Sequence, residues 1–383
     1  MAPMLRDRRG CRHASFLGCH PGWRLRTVEI MPPVPVQRRI DALVQRCYAG
    51  LDAMALGREV VRRLRPVLGI DAAFVATVDP ATLLFTSAAS EEPLAGAARL
   101  FLANELSGRD VNRFADLAAA PVLVRTLDQA TGGDRDQSDR HAAIMRPLGL
   151  GDELRAALRT RQACWGVMCL HREAGAPGFS QRDRDIIAKI APHVAEGFRR
   201  ALLAADSRDP RPGLGHGVVI LDAAGSVTSV NDAAERWLAQ IPDGDWLSSS
   251  QLPLPLLAAA AAAGHGPAGP ERPPAAVRLR TISGDWLSVH ASRLHGAAHQ
   301  STVLVLEQPG PGEIASLLLD SHGVTGAQAK VVALVLRGYS TKQIVSHLAI
   351  SQYTVQEHLT AVFDKLGVRS RQELAAALLR PGH

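Results

Sequence analysis

Polar side chains occupy one face of a helix that the apolar spacing predicts over residues 352–365. They are Tyr353, Gln356, Glu357 and Thr360. The opposite face carries apolar residues at i, i+4, i+7 and i+11, the period of a helix with one buried side: Val355, Leu359, Val362 and Leu366. Exposed amide, carboxylate and hydroxyl groups are suited to hydrogen bonding with base edges in the major groove of DNA.

The charge of the chain is concentrated at its two ends. Residues 321–383 contain seven Lys or Arg and three Asp or Glu, which gives +4, and residues 1–30 contain six Arg with Asp7 and Glu29, which also gives +4. Because the whole chain carries +6, the segment between these ends sums to −2. A basic end on a near-neutral body is the arrangement expected of a nucleic-acid-binding module joined to other domains.

Short helices must position the polar face, and their start signals are present in the sequence. Ser or Thr is followed three residues later by Gln or Glu at Thr325, Ser340 and Ser370, and each pair predicts a capping box. Ser351 is a fourth N-cap, and only residues 349–351 separate the second predicted helix from the third. Four helices in about 60 residues, with one tight connection, predict a helix-turn-helix domain.

This segment resembles the LuxR-type helix-turn-helix family, and the resemblance covers about 50 residues. Residues that carry it include Val324-Thr325, Gly338-Tyr339-Ser340, Lys342, Ile344, Ile350-Ser351, Thr354-Val355, Lys365-Leu366, Ser370-Arg371 and Glu373-Leu374. Three positions depart from the family pattern. Gln328 replaces an acidic residue, Gln356 replaces a basic one, and Ala361 replaces an Asn. The second departure removes the family's usual base contact, whereas the buried stripe is intact.

The resemblance assigns roles by position. It implies that Gln356, Glu357 and Thr360 read bases, since Gln can pair with adenine and Glu can accept from cytosine. It implies phosphate contacts from a set of hydroxyl and cationic residues: Thr341, Lys342, Thr354, Lys365, Arg369 and Arg371. Each of these cations has an equally good interpretation as solvated surface.

Two Pro/Gly-rich breaks, at residues 208–216 and 309–312, divide the rest of the chain. We expect a basic disordered tail at 1–36, a domain at 37–207, a second domain at 213–308, and the helix-turn-helix domain at 313–383. The first block contains the strand CWGVMCLHR followed by FSQRDRDIIAKIAPHVAEGF, in which Ser180 caps a long helix. It resembles a GAF sensor domain.

The block at 213–308 opens with two apolar runs joined at Gly225, a pattern that predicts a β-hairpin. A helix from Asp232 follows, and this opening resembles that of a PAS domain. The predicted fold class is multidomain α+β. It comprises a GAF-like α/β sensor, a PAS-like α+β domain, and an all-α four-helix domain at the C-terminus.

The five Cys show no CxxC pair, which favours a reducing cytosol over a disulfide framework. Cys11, His13, Cys19 and His20 fit no standard zinc spacing, so neither a metal nor a cofactor is expected. Cys164 and Cys169 lie five apart on one predicted strand, so alternation places them on opposite faces. His141 and His171 are interpreted as ordinary surface or core positions.

These features together predict a cytoplasmic, non-enzymatic, sequence-specific transcriptional regulator with sensing at the front and double-stranded DNA as its partner. No run approaches the length of a membrane span. A homodimer through helices near 40–68 and 182–205, RNA polymerase, and a small-molecule ligand are further expected partners. Two alternatives stay open. One is a regulatory interaction protein whose helix-turn-helix no longer binds DNA; the other is an enzyme in the GAF-like block, which would need a Cys/His/acid cluster in a pocket.

Overall fold

The computed structural model describes residues 35–160, 163–204, 214–242, 251–265, 275–294 and 300–379. Val36–His383 form one compact unit. The basic tail before Pro35, its Cys and His residues, and most of the break at 208–216 lie outside the described residues.

The first block is built on a five-stranded antiparallel sheet. Its strands are β1 (Ala72–Val78), β2 (Phe85–Ser90), β3 (Val124–Thr126), β4 (Leu150–Thr160) and β5 (Ala163–Glu173), in the order β2-β1-β5-β4-β3. The long central strands are buried along most of their length, because helices cover both faces of the sheet. The α/β fold expected for this block is confirmed.

Three helices pack on one face of this sheet. They are α1 (Val36–Cys47), α2 (Ala53–Leu68) and α6 (Gln181–Ala204). Gly197 in α6 permits their close approach, since a Cβ there would lie 2.5 Å from the Leu56 side chain and 2.8 Å from the Cys47 carbonyl oxygen. The single helical stretch expected near 40–68 is two helices, and their apolar sides are buried within this chain.

Shorter helices cover the other face. They are α3 (Ala98–Ser107), α4 (Phe114–Ala119) and α5 (Leu127–Thr131), with a π-helical turn at His141–Met145 before β4. Leu102, Phe114 and Leu117 pack here against Val167 and Cys169 of the sheet.

The middle block has a second five-stranded antiparallel sheet. Its strands are β6 (Gly217–Leu221), β7 (Val227–Val230), β8 (Ala275–Arg280), β9 (Trp286–Leu294) and β10 (Ser301–Glu307), in the order β7-β6-β10-β9-β8. Helices α7 (Asp232–Leu238) and α8 (Leu254–His265) accompany it, and Asn231 caps α7. Counted within its block, each sheet has the strand order 2-1-5-4-3.

Five helices complete the chain. They are α9 (Pro311–Ser321), α10 (Gly326–Leu336), α11 (Thr341–Leu348), α12 (Gln352–Leu366) and α13 (Arg371–Leu379). The last four are the helices that the capping signals predict. Helix α9 is an addition: the PGPG segment, interpreted as a break, supplies Pro311 at the first turn of a helix that packs on α13.

One expectation about the first sheet is wrong. Cys164 and Cys169 are both buried in the same apolar cluster, although alternation places them on opposite faces. The register of β4 and β5 shifts between Leu158 and Arg159, where Cys164 pairs with Arg159 and Gly166 with Leu158. This bulge inserts Trp165 and reverses the alternation beyond it.

Candidate nucleic-acid interface

Helix α12 presents the polar face that the sequence predicts. Val355, Leu359 and Val362 are buried against α10, α11 and α13, and Leu366 is partly buried beside them. On the other side, Gln356, Glu357 and Thr360 are exposed, and the Tyr353 side chain is 74% exposed. The helix therefore has four projecting polar side chains on a rigid, packed support.

The connection between α11 and α12 is fixed by caps at three points. The Ser340 hydroxyl accepts from the Gln343 amide at the start of α11, and the Gln343 side chain returns to the Ser340 N–H at 2.8 Å. Ala349 ends α11 in the left-handed region, at φ 53°. The Ser351 hydroxyl accepts from the Thr354 amide at 3.0 Å and starts α12. These contacts set the angle at which α12 projects.

The residues expected at phosphates divide into two groups. Lys342 and Arg369 have exposed side chains, and Thr341 and Thr354 are partly buried at the first turns of α11 and α12. Arg371 and Lys365 are engaged inside the domain. Arg371 donates to the Tyr339 carbonyl at 3.1 Å and to the Thr341 hydroxyl at 2.7 Å.

Lys365 lies at the opposite end of α12 from the turn. Its ammonium donates to the Gly323 carbonyl at 2.8 Å and to the Gln328 side-chain oxygen at 2.7 Å. Gln328 also closes the capping box of α10 with Thr325. This contact gives Lys365 a structural role that the family resemblance does not indicate.

A contact that sequence reasoning missed joins all three blocks. Arg278 of β8 donates from Nη2 to Asp79 Oδ1 at 2.6 Å and from Nε to Asp79 Oδ2 at 2.8 Å. Asp79 follows β1 of the first sheet and is fully buried. The remaining terminal nitrogen of Arg278 donates to the Glu313 carbonyl and to the Ser316 hydroxyl, both on α9. The guanidinium thus holds the first sheet, the second sheet and the helix that leads into the helix-turn-helix.

Two further contacts fasten α9. Arg199 of α6 donates to the Ser321 carbonyl at 2.7 Å, and Ser288 of β9 donates to the Glu313 carboxylate at 3.0 Å. Ile314 and Leu317 pack on Trp286 in a small apolar cluster. Helix α9 is therefore packed against both sheet-containing blocks as well as against α13.

A buried charged cluster lies under α3 and α4. Arg140 donates to Glu153 Oε2 at 2.7 Å, and Arg155 donates to Glu105 at 2.9 Å. His171, Cys169 and the second oxygen of Glu153 lie close enough together to be ligands of one metal ion. Sequence reasoning missed this cluster, although the strand that becomes β5 is predicted, because the cluster depends on the cross-strand pairing of Glu153 with His171.

Electrostatics oppose catalysis by this cluster. Burial raises the pKa of the Cys169 thiol to about 12, so the thiolate is scarce near neutral pH. Burial and the nearby arginines lower the pKa of His171 to about 4, which keeps the imidazole neutral. The Glu153 carboxylate lies 3.4 Å from the Arg155 guanidinium, which disfavours an added cation. All three side chains are fully buried, so a substrate has no access to them.

None of the helices in the described part of the chain is long and apolar enough to cross a bilayer.

The fold and the interface define a class of bacterial regulator that has a sensor domain and a helix-turn-helix. The model of the LuxR family of bacterial regulatory proteins matches residues 325–378, and the GAF-domain model matches residues 52–197. The spore germination protein GerE of Bacillus subtilis is 37% identical over 59 residues, which cover 15% of this chain and 80% of that protein. The chain belongs to the LuxR family, with a GAF domain at its front and a LuxR-type helix-turn-helix at its end.

Other similarities have lower sequence identity. A relative in Mycobacterium bovis, named as an HTH-type transcriptional regulator, is 35% identical over 104 residues, 27% of this chain. The matched part spans only 12% of that relative. Escherichia coli SdiA aligns over 90% of this chain and 98% of its own, with 11% identity and a TM-score of 0.33. The GAF domain of an Acinetobacter phosphoenolpyruvate-protein phosphotransferase aligns over 43% of this chain and 94% of its own, with 11% identity and a TM-score of 0.31.

Proposed function

We propose that this protein regulates transcription by binding specific duplex DNA through α12, under the control of signals received by its first two blocks. The observation that carries the proposal is the two-sided character of α12. Its buried stripe fixes the helix in the domain. Its polar face is exposed, and no other element in the described part of the chain covers it. A helix presented in this way fits the major groove.

The interface combines base-reading and phosphate-binding groups. Gln356, Glu357 and Thr360 would reach base edges, with Tyr353 beside them. Lys342 and Arg369, whose side chains are exposed, would contact phosphates together with Thr341 and Thr354. We propose that Lys365 and Arg371 act mainly by holding the domain together, since both already donate to internal acceptors.

The test is selection of bound sequences from a random DNA pool with the full chain, followed by titration of the selected duplex and a scrambled duplex. Specific binding at least about a thousandfold tighter than to scrambled DNA is expected of such a protein. Equal binding to both duplexes would contradict specific readout. Failure to bind either duplex would favour the alternative of a regulatory interaction protein. That alternative rests on Gln356, which replaces the basic residue usual in the family.

The sensing role rests on the GAF domain and on the middle block. We propose a PAS-like domain for the latter, because its sheet has the strand order of the GAF sheet and because its hairpin and the helix that follows agree with the sequence pattern. Contacts through Arg278 offer a physical route from both sheets to α9.

We further propose that the regulator acts as a homodimer, so that two α12 helices read half-sites about one DNA turn apart. The apolar sides of α1, α2 and α6 are used in the core of the chain, so a dimer would use other surfaces of these helices or another part of the chain. Light scattering of the full chain with and without the selected duplex tests this. A complex of one chain with one duplex would contradict it.

A further inference from the structure

A cavity of about 640 Å³ lies where the first sheet, the second sheet and α9 meet. Its walls come from the start of α2, the end of β1, the β8–β9 hairpin, α6 and α9. The volume is within the range of pockets that take small organic molecules. It is distinct from the buried charged cluster, none of whose residues lines it.

Part of the cavity wall is apolar. Trp165 lines it from β5, Phe198 and Leu202 line it from α6, and Leu317 lines it from α9. Such a wall favours an aromatic or aliphatic body, because burial of apolar surface on both partners is the main source of binding free energy.

The lining also carries a cation. Arg280 of β8 donates to the Gly284 carbonyl and lies with its guanidinium carbon 4.0 Å from the centre of the Trp286 ring. Its Nε is buried without a hydrogen-bond partner, and Asp285 of the same hairpin attracts the guanidinium without forming an ion pair with it. Burial lowers the pKa of Arg280 to about 10, and the attraction of Asp285 offsets only part of this electrostatic cost.

The charges of the residues that line the cavity do not cancel. Asp79 and Arg278 neutralise each other, and the Asp52 carboxylate caps α2 by accepting from the Ala55 amide at 2.7 Å. Arg58 and Arg280 then stand against Asp52 alone, which leaves one positive charge among the lining residues. Asp285, which does not line the cavity, offsets part of this charge, and a ligand with one negative charge would be attracted by what remains.

We propose that this cavity binds a small organic acid, with its carboxylate at Arg280 and its apolar body against Trp165, Phe198 and Leu202. The carboxylate would accept the unpartnered N–H of Arg280, and the charge-assisted hydrogen bond is of the stronger kind. Because Leu317 belongs to α9, a ligand in the cavity would contact the helix that leads into the helix-turn-helix. This last step, control of DNA binding, rests on the proposed function; the binding site does not.

The experiment compares matched acids and amides on the full chain. Octanoate, phenylacetate and 2-naphthoate are titrated against octanamide, phenylacetamide and 2-naphthamide, and binding is followed by calorimetry and by the rise in Tm. At least one acid is expected to bind saturably, roughly tenfold or more tighter than its amide, since one charge-assisted bond is lost in the amide. Equal binding of every acid and its amide, or binding by none of the six compounds, would overturn the proposal.

Variants locate the site. Arg280→Gln keeps a hydrogen-bonding side chain without the charge and is expected to make acid and amide bind alike. Arg58→Gln, on the exposed side of α2, is expected to reduce the acid preference without affecting the fold. Arg293→Gln is the matched control, because Arg293 is an exposed arginine on the neighbouring strand β9 and does not line the cavity. Acid preference that survives Arg280→Gln would also overturn the proposal.

Titration of the selected DNA duplex in the presence of a bound acid separates the two proposals. Acid binding that leaves DNA affinity unchanged supports the site and overturns its link to regulation. Specific DNA binding without any acid binding supports the proposed function and overturns the site. Absence of DNA binding counts against the proposed function, whatever the acids do.

Discussion

Asp79 and Arg278 form a bidentate ion pair across 199 residues of sequence, with both side chains nearly inaccessible to solvent. The backbone N–H of Arg278 also donates to Asp79 Oδ2, at 3.0 Å. One carboxylate therefore satisfies three donors of a single residue on the second sheet. The pair fixes where β8 lies against the end of β1, and it aims the other terminal nitrogen of Arg278 at α9.

Asp79→Asn should destabilise the full chain by roughly 3 kcal/mol, because it leaves the Arg278 guanidinium buried without its counter-charge. The hydrogen bonds from Arg278 to α9 remain in this variant and limit the loss of folding free energy. Urea unfolding measures the change. The exposed pair of Arg113 and Asp116 provides the control, since Asp116→Asn should cost less than about 1 kcal/mol. Equal effects of the two substitutions would show that the Asp79 pair adds nothing beyond a surface ion pair.

Leu359→Ala should destabilise the helix-turn-helix by about 2–5 kcal/mol, because it opens a cavity at a side chain that is 1% exposed. The two sheet-containing blocks should unfold as before, which calorimetry of the full chain can resolve. Tyr353→Ala on the exposed side of the same helix is the control and should change the free energy of unfolding by less than about 0.5 kcal/mol. A similar small value for Leu359→Ala would contradict the assignment of the stripe.

The helix-turn-helix is the part that the sequence predicts best, because each of its signals is local. Thr325, Ser340 and Ser351 each cap a residue only three positions away, and the apolar stripe of α12 repeats with the helical period. Ser370 differs slightly: its hydroxyl accepts from the Glu373 amide, whereas the Glu373 carboxylate returns to the Arg369 N–H instead. The strand at residues 164–172 and the hairpin at Gly225 are also predicted, because apolar runs and a turn residue mark them.

The features that the sequence does not reveal depend on distant residues. The pairing of Asp79 with Arg278 follows from how two sheets pack, and no local pattern indicates it. The bulge at Trp165 reverses the alternation that places Cys164 and Cys169, because one inserted residue changes the face of every residue beyond it. From the sequence, Lys365 is expected to lie at the surface and contact phosphate. In the structure its ammonium donates to Gly323 and Gln328, because α10 packs against α12.

The stability of the first block should fall as the pH drops from 7 to 5, because of His171. Burial lowers its pKa to about 4 in the folded chain, whereas an unfolded His titrates near 6.5, so only the unfolded state gains a proton in this range. The contribution is complete above about pH 6.5 and is lost as the pH falls toward 4. The expected decrease between pH 7 and 5 is about 2 kcal/mol.

His171→Gln should remove most of this dependence, and unfolding free energies at several pH values measure it. Glu153, Cys169, Arg140 and Arg155 surround His171. The arginines lower the pKa of Glu153, so that carboxylate titrates in a more acidic range than the one tested. The His193→Gln variant is the control, since His193 lies on the outer helix α6 and pairs with Tyr48. An unchanged pH dependence in His171→Gln would show that His171 is not the group responsible.

Gln328→Glu should stabilise the helix-turn-helix modestly, by up to about 1 kcal/mol. A carboxylate at this position can keep the capping contact with Thr325 and converts the 2.7 Å hydrogen bond from Lys365 into an ion pair. Thermal unfolding of the full chain provides the measurement. The gain should vanish when Lys365→Met is present, and a gain that persists in that background would mean that the carboxylate acts through the dipole of α10 alone.

In the DNA readout proposed for α12, Gln356 contributes to sequence specificity, whereas Lys342 contributes to the affinity for all sequences. Gln356 has no charge, so it cannot contribute to the electrostatic attraction of phosphates, but its amide can favour adenine by about 1–3 kcal/mol over a wrong base. Gln356→Ala should therefore relax the preference at one base pair per half-site and leave the salt dependence of binding unchanged. Lys342→Ala should weaken binding to all sequences and lower the salt slope by about 1, because one phosphate contact is lost.

Both variants are titrated against the selected duplex and a scrambled duplex at several salt concentrations. Lys330→Ala is a matched control for charge, since Lys330 is an exposed lysine on α10 rather than at the turn between α11 and α12. If Gln356→Ala weakens binding to both duplexes equally, the residue positions the DNA backbone. The face of α12 that enters the groove would then be rotated away from Gln356, toward the side that Tyr353 and Thr360 share.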